Sequence, residues 1–350
     1  MARTPLSASR RALLQGAGLG VLGSVAAASR KPAAAASPAP AAAAVTNAEP
    51  ALWSAEYWAE KGKVKLYMFR KRLGAPKADE RARPVLFMVH GSSISARPSF
   101  DLTVPGHGEY SMMNVFAGYG FDVWTMDHEN YGRSSRTESN SNIASGVEDL
   151  KAAVKVVARE TGQKRCHFYG VSSGALRAGA FASVAPESVA RLALEAMTWT
   201  GKGSPTLEKR AEQVEFYRTH NRRPRGRDMI LSIFTRDKPG TSDPAVGEAL
   251  ADAELKFGDT IPTGTYLDMT ANLPVVDPLK LKAPVVILRG EYDGIAALDD
   301  LLAFYGRLPN ADRQFAILPG AAHAISLGHN REQLWYVLRN FLEMPPRHDV

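Results

Sequence analysis

The segment CHFYGVSSGALRAGAFA, residues 166–182, restricts the fold more than any other part of the chain. Cys166 to Tyr169 is an apolar run that reads as a buried strand. Ala175 to Ala185 carries the small apolar residues of a helix packed close against a sheet. Between them, Gly170 and Gly174 flank Ser172 at two-residue spacing on each side. A strand that reverses directly into a helix forces its apical residue into strained backbone geometry, and the neighbours must lack bulk to fit. That geometry also lifts the apical hydroxyl clear of the sheet. Ser-Ser-Gly is ordinary turn composition as well, so the pentapeptide gains meaning from its strand-to-helix setting and from residues elsewhere.

From residue 63 the chain alternates short apolar runs with longer helical patterns. The strand candidates are KVKLYMFR, RPVLFMVHG, GFDVWTMD, RCHFYGV, ARLALEAM, APVVILRG and DRQFAIL. Residues 111–119, 143–160, 174–186, 296–307 and 329–343 read as helices, the second being the clearest, with apolar residues at three- and four-residue spacing and Gly162 to stop it. Strands separated by helices predict an α/β protein with a mostly parallel sheet flanked by helices on both faces. Residues 199–275 break the alternation: they hold helical patterns joined by Pro- and Gly-rich turns and no convincing strand. An insertion of that length is not a bare loop, and the reading is a helical cap over the strand ends, where open α/β sheets bind ligands. The expected organisation is therefore a leader and spacer at 1–48, a first core part at 49–198, the cap at 199–275 and a second core part at 276–350.

The formal charge of +7 does not indicate a nucleic-acid partner. Residues 1–48 hold five basic residues and no acidic ones, so 38 basic and 36 acidic residues remain, a balance of +2. The basic excess belongs to the leader. Its SRRALLQGAGLGVLGSVAAAS pairs a basic start with a weakly apolar stretch of about 16 residues, short for a membrane span of about 20. It then runs into small residues, as an export signal requires. Ser9-Arg10-Arg11-Ala12-Leu13-Leu14 looks like a twin-arginine signal, with Gln15 where Lys is often found; the expectation is a periplasmic or secreted protein with no membrane span after processing. Residues 32–48, nearly all Ala and Pro, form a low-complexity spacer. The single cysteine, Cys166, sits in an apolar strand context, and no CxxC, HExxH or P-loop spacing suggests a metal or nucleotide.

A serine nucleophile needs a base, a group to orient the base, and donors for an oxyanion. VVILRGEYDG ends a strand and presents Asp293; FAILPGAAHAISL ends the last strand and presents His323; VLFMVHGSS ends an early strand with His90-Gly91 before Ser92. The backbone N–H groups of Ser92 and Ser173 are the oxyanion candidates. Glu195, ending the strand after the turn, is a rival acid, and His329, placed in the final helix, a rival base. His90 reads as a histidine bonding within its own loop. Trp199 and Tyr266 are candidates to line the pocket. The cluster RTHNRRPRGRD, residues 218–228, holds five arginines: charge runs of this kind ordinarily face water, and the alternative is a docking patch for an anionic substrate or surface.

The order Ser172, Asp293, His323 together with the His90-Gly91 loop resembles the α/β-hydrolase superfamily, in particular its serine carboxylesterase and lipase-like members, over roughly residues 55–345. DHENYGRSS, residues 127–135, is similar to a structural turn of that fold, with Asn130-Tyr131 where Arg-Gly is more usual. The resemblance implies the α/β-hydrolase fold and an acyl-enzyme on Ser172, with His323 as base and Asp293 orienting it. It implies a small-molecule carboxylic ester as substrate and no metal or organic cofactor. Cleavage of an amide, lactone or activated C–C bond by the same triad is the alternative within enzymes, and a non-catalytic binding protein on a hydrolase scaffold the alternative outside them. Haloalkane dehalogenase or epoxide hydrolase chemistry would need a carboxylate where Ser172 stands.

Overall fold

Eight strands form one sheet in the computed structural model, which describes residues 51–345; the leader expectation for residues 1–48 lies outside the described residues. In chain order the strands are β1 (Leu52–Lys61), β2 (Val64–Leu73), β3 (Val85–Val89), β4 (Asp122–Met126), β5 (Cys166–Val171), β6 (Val189–Glu195), β7 (Val285–Gly290) and β8 (Arg313–Leu318). Their spatial order is β1-β2-β4-β3-β5-β6-β7-β8. From β4 to β8 every neighbouring pair is parallel, whereas β1 and β2 form an antiparallel hairpin that joins through β2 to β4. Helices cover both faces, and this is the α/β-hydrolase architecture.

The parallel strands are continuous apolar runs because both faces are buried. Phe87 and Phe168, register partners on β3 and β5, face a core completed by α2 (Ile143–Thr161) and α3 (Ser173–Val184). Their alternates Leu86, Met88 and Tyr169 face the opposite core, with α1 (Met112–Gly118) and the last helix of the described chain, Arg331–Leu342. Helix α2 starts at an Asn142 cap that accepts from the Ser145 N–H at 2.8 Å, and it ends at Gly162 with φ +71°. Gly there follows from the left-handed backbone of the helix terminus. Strand β1 departs from expectation: no apolar run marks it, because it is an edge strand whose residues alternate between exposed and half-buried. The alternation is its sequence signal.

Between β6 and β7 the chain passes through α4 (Pro205–Ala211), α5 (Val214–Thr219), α6 (Arg227–Thr235), α7 (Pro244–Glu254) and α8 (Gly264–Ala271). The segment contains two three-residue strands, Arg222–Pro224 and Thr260–Pro262, paired antiparallel, which the sequence reading did not anticipate. They are too short to carry a hydrophobic period. After β7 come α9 (Leu298–Gly306) and α10, the Arg331–Leu342 helix named above. His329 therefore lies before that helix rather than in it, exposed, with its N–H donating to the Thr241 carbonyl. Among the described residues no helix is long and apolar enough to cross a membrane.

Candidate active site

Ser172 sits at the β5–α3 junction with φ +56° and ψ −121°, the strained conformation expected of that apex. The flanking glycines are a steric requirement. A Cβ on Gly170 would lie 2.5 Å from the Gly174 carbonyl oxygen and 2.7 Å from the Ala175 backbone. A Cβ on Gly174 would lie 2.2 Å from the Val89 carbonyl oxygen and 2.5 Å from that of His90. The close approach of α3 to the end of β3 therefore excludes any larger residue at 174.

The loop after β3 runs beside this apex: a Cβ on Gly91 would stand 3.4 Å from that of Ser172. His90 is fully buried, its Nδ1 2.8 Å from the Gly91 carbonyl oxygen and its Nε2 accepting from the His128 N–H at 3.1 Å. An imidazole that accepts at Nε2 carries its proton on Nδ1, and burial pushes its pKa well below the ordinary value, so it is a neutral brace for the loop. Ser92 Oγ donates to Ser173 Oγ at 2.8 Å, tying the loop to the first turn of α3. Among the described residues, neither the Ser92 nor the Ser173 backbone N–H donates to a protein acceptor. The 127–135 turn supports the same loop. Asp127 accepts from the N–H groups of Ala96 and Arg133, and the Tyr131 hydroxyl donates to the Ser92 carbonyl at 2.9 Å.

Asp293 and His323 follow β7 and β8, and their side chains meet. His323 Nδ1 lies 3.0 and 3.1 Å from the two Asp293 oxygens, while Asp293 Oδ1 also accepts from the N–H groups of Ile295 at 2.8 Å and Ala296 at 3.1 Å. Burial pushes the Asp293 pKa up, but the His323 charge, its hydrogen bond and the two backbone donors outweigh burial and leave it below the usual carboxylate range. An ionised Asp293 only accepts, so Nδ1 carries the proton and Nε2 presents a lone pair. Glu195 is placed otherwise. It is fully buried and accepts from the Tyr169 hydroxyl, and burial, opposed by that bond and assisted by the nearby Asp293 charge, raises its pKa to about 8.

Ser172 and His323 line one narrow cavity of about 90 Å³. Its apolar wall comes from both sides: Ile94, Phe100 and Leu327 from the core, and Ile233, Phe234 and Leu250 from the inserted helices. Sequence reasoning chose two aromatics for this role, and the structure corrects one outright. Trp199 packs against Phe304 with Arg307 over its ring, away from the cavity, and its backbone N–H donates to Asp300. Tyr266 is fully buried and does not line the cavity surface, but its hydroxyl is 2.7 Å from Ser93 Oγ, and Ser93 is part of the wall. The wall also holds Arg210 and Arg236, which no sequence signal distinguished from surface charge.

Asp237, after α6, was also missed. One Asp237 carboxylate oxygen, one from Asp293 and a ring nitrogen of His323 lie within 4.8 Å of one another, the single such trio of potential metal-ligating atoms among the described residues. Asp237 accepts from Arg236 at 2.9 and 3.1 Å, and Asp293 from His323 and two backbone groups. Both carboxylates are thus already committed to hydrogen bonds. The five arginines of residues 218–228 do not act as one patch. Arg218 pairs with Glu215, Arg222 bonds Thr260, Arg225 is buried against Glu254, and Arg227 pairs with Glu248 and Asp252. Among the described residues Arg223 is the one arginine of the run with neither an ion pair nor a side-chain hydrogen bond, and it lies over the Tyr266 ring.

The family described as Serine aminopeptidase, S33, matches residues 106–329. A 2-hydroxy-6-oxononadienedioate/2-hydroxy-6-oxononatrienedioate hydrolase of Paraburkholderia phymatum is 26% identical over 245 residues, covering 66% of this chain and 78% of that protein. Among solved structures, a carboxylesterase of Bacillus subtilis aligns with TM-score 0.58 and 18% identity, covering 84% of this chain and 93% of that one. A 2-hydroxy-6-oxo-6-phenylhexa-2,4-dienoate hydrolase of a Rhodococcus strain aligns with TM-score 0.56 and 18% identity, over 83% and 99%. At these identities the structural matches speak for the fold.

Proposed function

The chain belongs to the Serine aminopeptidase, S33, family of α/β-hydrolases, and from that premise we propose that it is an exported serine hydrolase of carboxylic esters. The observation that carries the reading is the hydrogen-bonded His323–Asp293 pair opening onto the same cavity as Ser172. In this mechanism His323 Nε2 takes the Ser172 proton as Oγ attacks the ester carbonyl. Asp293 holds the imidazole by its Nδ1–H and stabilises the imidazolium. The Ser92 and Ser173 N–H groups receive the oxyanion, a contribution of about 3–4 kcal/mol for such donors. His323 then returns its proton to the leaving alcohol, and a water deprotonated by the same imidazole releases the acid and restores Ser172. The narrow inner cavity suits a short or slender acyl group, and its cap-derived wall gives the inserted helices control of substrate shape. Export rests on the Ser9–Leu14 motif and the small-residue stretch after it.

The same machinery acting on an activated C–C bond is the second reading, favoured by the likeness to the Paraburkholderia hydrolase. A panel of esters graded in acyl length, with an amide, a lactone and a vinylogous diketone beside them, separates the two. Purified Ser172→Ala is expected to lose turnover on every substrate while keeping its circular dichroism and melting temperature. Turnover near the wild-type level in folded Ser172→Ala would overturn the proposal.

A further inference from the structure

Beside the Ser172 cavity lies a larger one of about 790 Å³, bounded by α4, α6 and the strand at Arg222–Pro224. The two share Ser93, Arg210, Ile233 and Arg236 in their walls, so a single molecule can extend from one into the other. The outer cavity is strongly cationic. Lys209, Arg210, Arg223 and Arg236 line it, against one carboxylate, Asp237, which Arg236 already holds. Among the described residues Arg210 and Arg223 have neither an ion pair nor a hydrogen-bond acceptor. Both guanidinium groups sit over the Tyr266 ring, at 5.1 and 4.8 Å from its centre. Burial, and the like charges of Arg236 and Arg223, push Arg210 below its ordinary pKa, with Tyr266 and Tyr217 opposing them.

Gathering uncompensated guanidinium groups in a half-buried cavity is costly unless an anion joins them. A guanidinium offers a flat fork of N–H donors that matches a carboxylate edge to edge. A cation–π contact with Tyr266 holds each guanidinium at the cavity wall. Tyr266 is itself fixed by its hydroxyl to Ser93, one residue from the oxyanion candidate Ser92. We propose that Arg210 and Arg223 form a carboxylate-binding subsite, so that the preferred substrate is an ester of a dicarboxylic acid, or another ester bearing a free carboxylate away from the scissile carbonyl. This rests on the serine-hydrolase reading for its catalytic consequence, whereas binding of the anion does not.

Two measurements test it on the full chain. In the first, kcat/KM is compared for monomethyl esters of dicarboxylic acids of increasing length and for the corresponding neutral dimethyl esters. The wild type is expected to favour a charged ester, and Arg210→Gln and Arg223→Gln each to reduce that preference by about 10- to 100-fold, the range for a lost hydrogen bond to a charged group. Neutral-ester rates should be little changed in Arg223→Gln, since Arg223 lies outside the Ser172 cavity, and Arg210→Lys should restore part of the preference that Arg210→Gln loses. Arg227→Gln, which removes two exposed ion pairs outside the cavity, should leave it intact. In the second, free adipate and inorganic phosphate are titrated calorimetrically into wild type and both Gln variants, a reading that holds even if no ester is cleaved. Adipate binding that both substitutions weaken supports the subsite. Equal adipate binding in wild type and variants, or tighter binding of phosphate than of adipate, overturns it. Loss of all ester turnover with adipate binding intact would count against the serine-esterase reading and leave the subsite standing.

Discussion

Asp293→Asn is the substitution whose effect follows most closely from geometry. Asp293 Oδ1 accepts from the Ile295 and Ala296 N–H groups, and both carboxylate oxygens lie within 3.1 Å of His323 Nδ1. In asparagine the amide oxygen must take the Oδ1 position, since the two backbone donors accept no proton in return. The NH2 group then falls at Oδ2, facing Nδ1 with a donor. The donor at Oδ2 opposes Nδ1–H and favours the tautomer with its proton on Nε2, where it blocks removal of the Ser172 proton. A wrong tautomer in a triad of this kind costs about 10⁴-fold in kcat, or roughly 5.4 kcal/mol at 1.36 kcal/mol per tenfold. Stability should fall far less, because both backbone bonds survive. The assay is steady-state hydrolysis of an activated ester, with thermal melting on the same samples and Glu195→Gln as comparison. Asp293→Asn within tenfold of wild type, alongside Glu195→Gln reduced by orders of magnitude, would refute the argument and move the acid to Glu195.

Glu195 should instead reveal itself through stability. Its folded pKa of about 8 lies above its ordinary 4.5, so between those values the folded state holds a proton that the unfolded state has released, and stability falls as pH rises through that window. Chemical denaturation from pH 5 to 8 should show this decline in wild type and a flatter profile in Glu195→Gln; parallel profiles would contradict it. In the cap, Ile233→Ala or Leu250→Ala should shift preference toward bulkier acyl groups by about 1–3 kcal/mol on an acyl-length series, whereas Trp199→Ala should lower the melting temperature and leave the preference unchanged. Arg10→Lys combined with Arg11→Lys should leave unprocessed protein in the cytoplasm on cell fractionation, and unchanged secretion would point to another route.

The central strands were legible because a strand buried on both faces has no polar alternation to confuse it, as VLFMV and CHFYGV show. Ser172, Asp293 and His323 were legible for a related reason: each follows directly from a strand end, so local order along the chain already places them near one another. The cap residues were not. Arg210, Ile233 and Asp237 reach the site only through the way short helices pack over the sheet, and nothing local separates Arg210 from its exposed neighbour Lys209. Trp199 does not reach the cavity because nearness in sequence to the inserted segment does not set the direction of a side chain; Phe304 and Arg307, a hundred residues on, pack against its ring. The arginine run is the same lesson reversed, since one apparent patch divides into four partnered side chains and one facing a cavity.

The most direct test of a serine nucleophile at the β5–α3 apex is to trap the covalent intermediate. Wild-type protein mixed with a slowly deacylating ester, quenched in acid within the first turnovers and digested, should carry the acyl mass on the peptide containing Ser172. The same adduct should be absent from Ser172→Ala, and it should accumulate far more slowly in His323→Ala. An acyl mass on any other residue, or ester turnover with no covalent species at any quench time, would contradict the account.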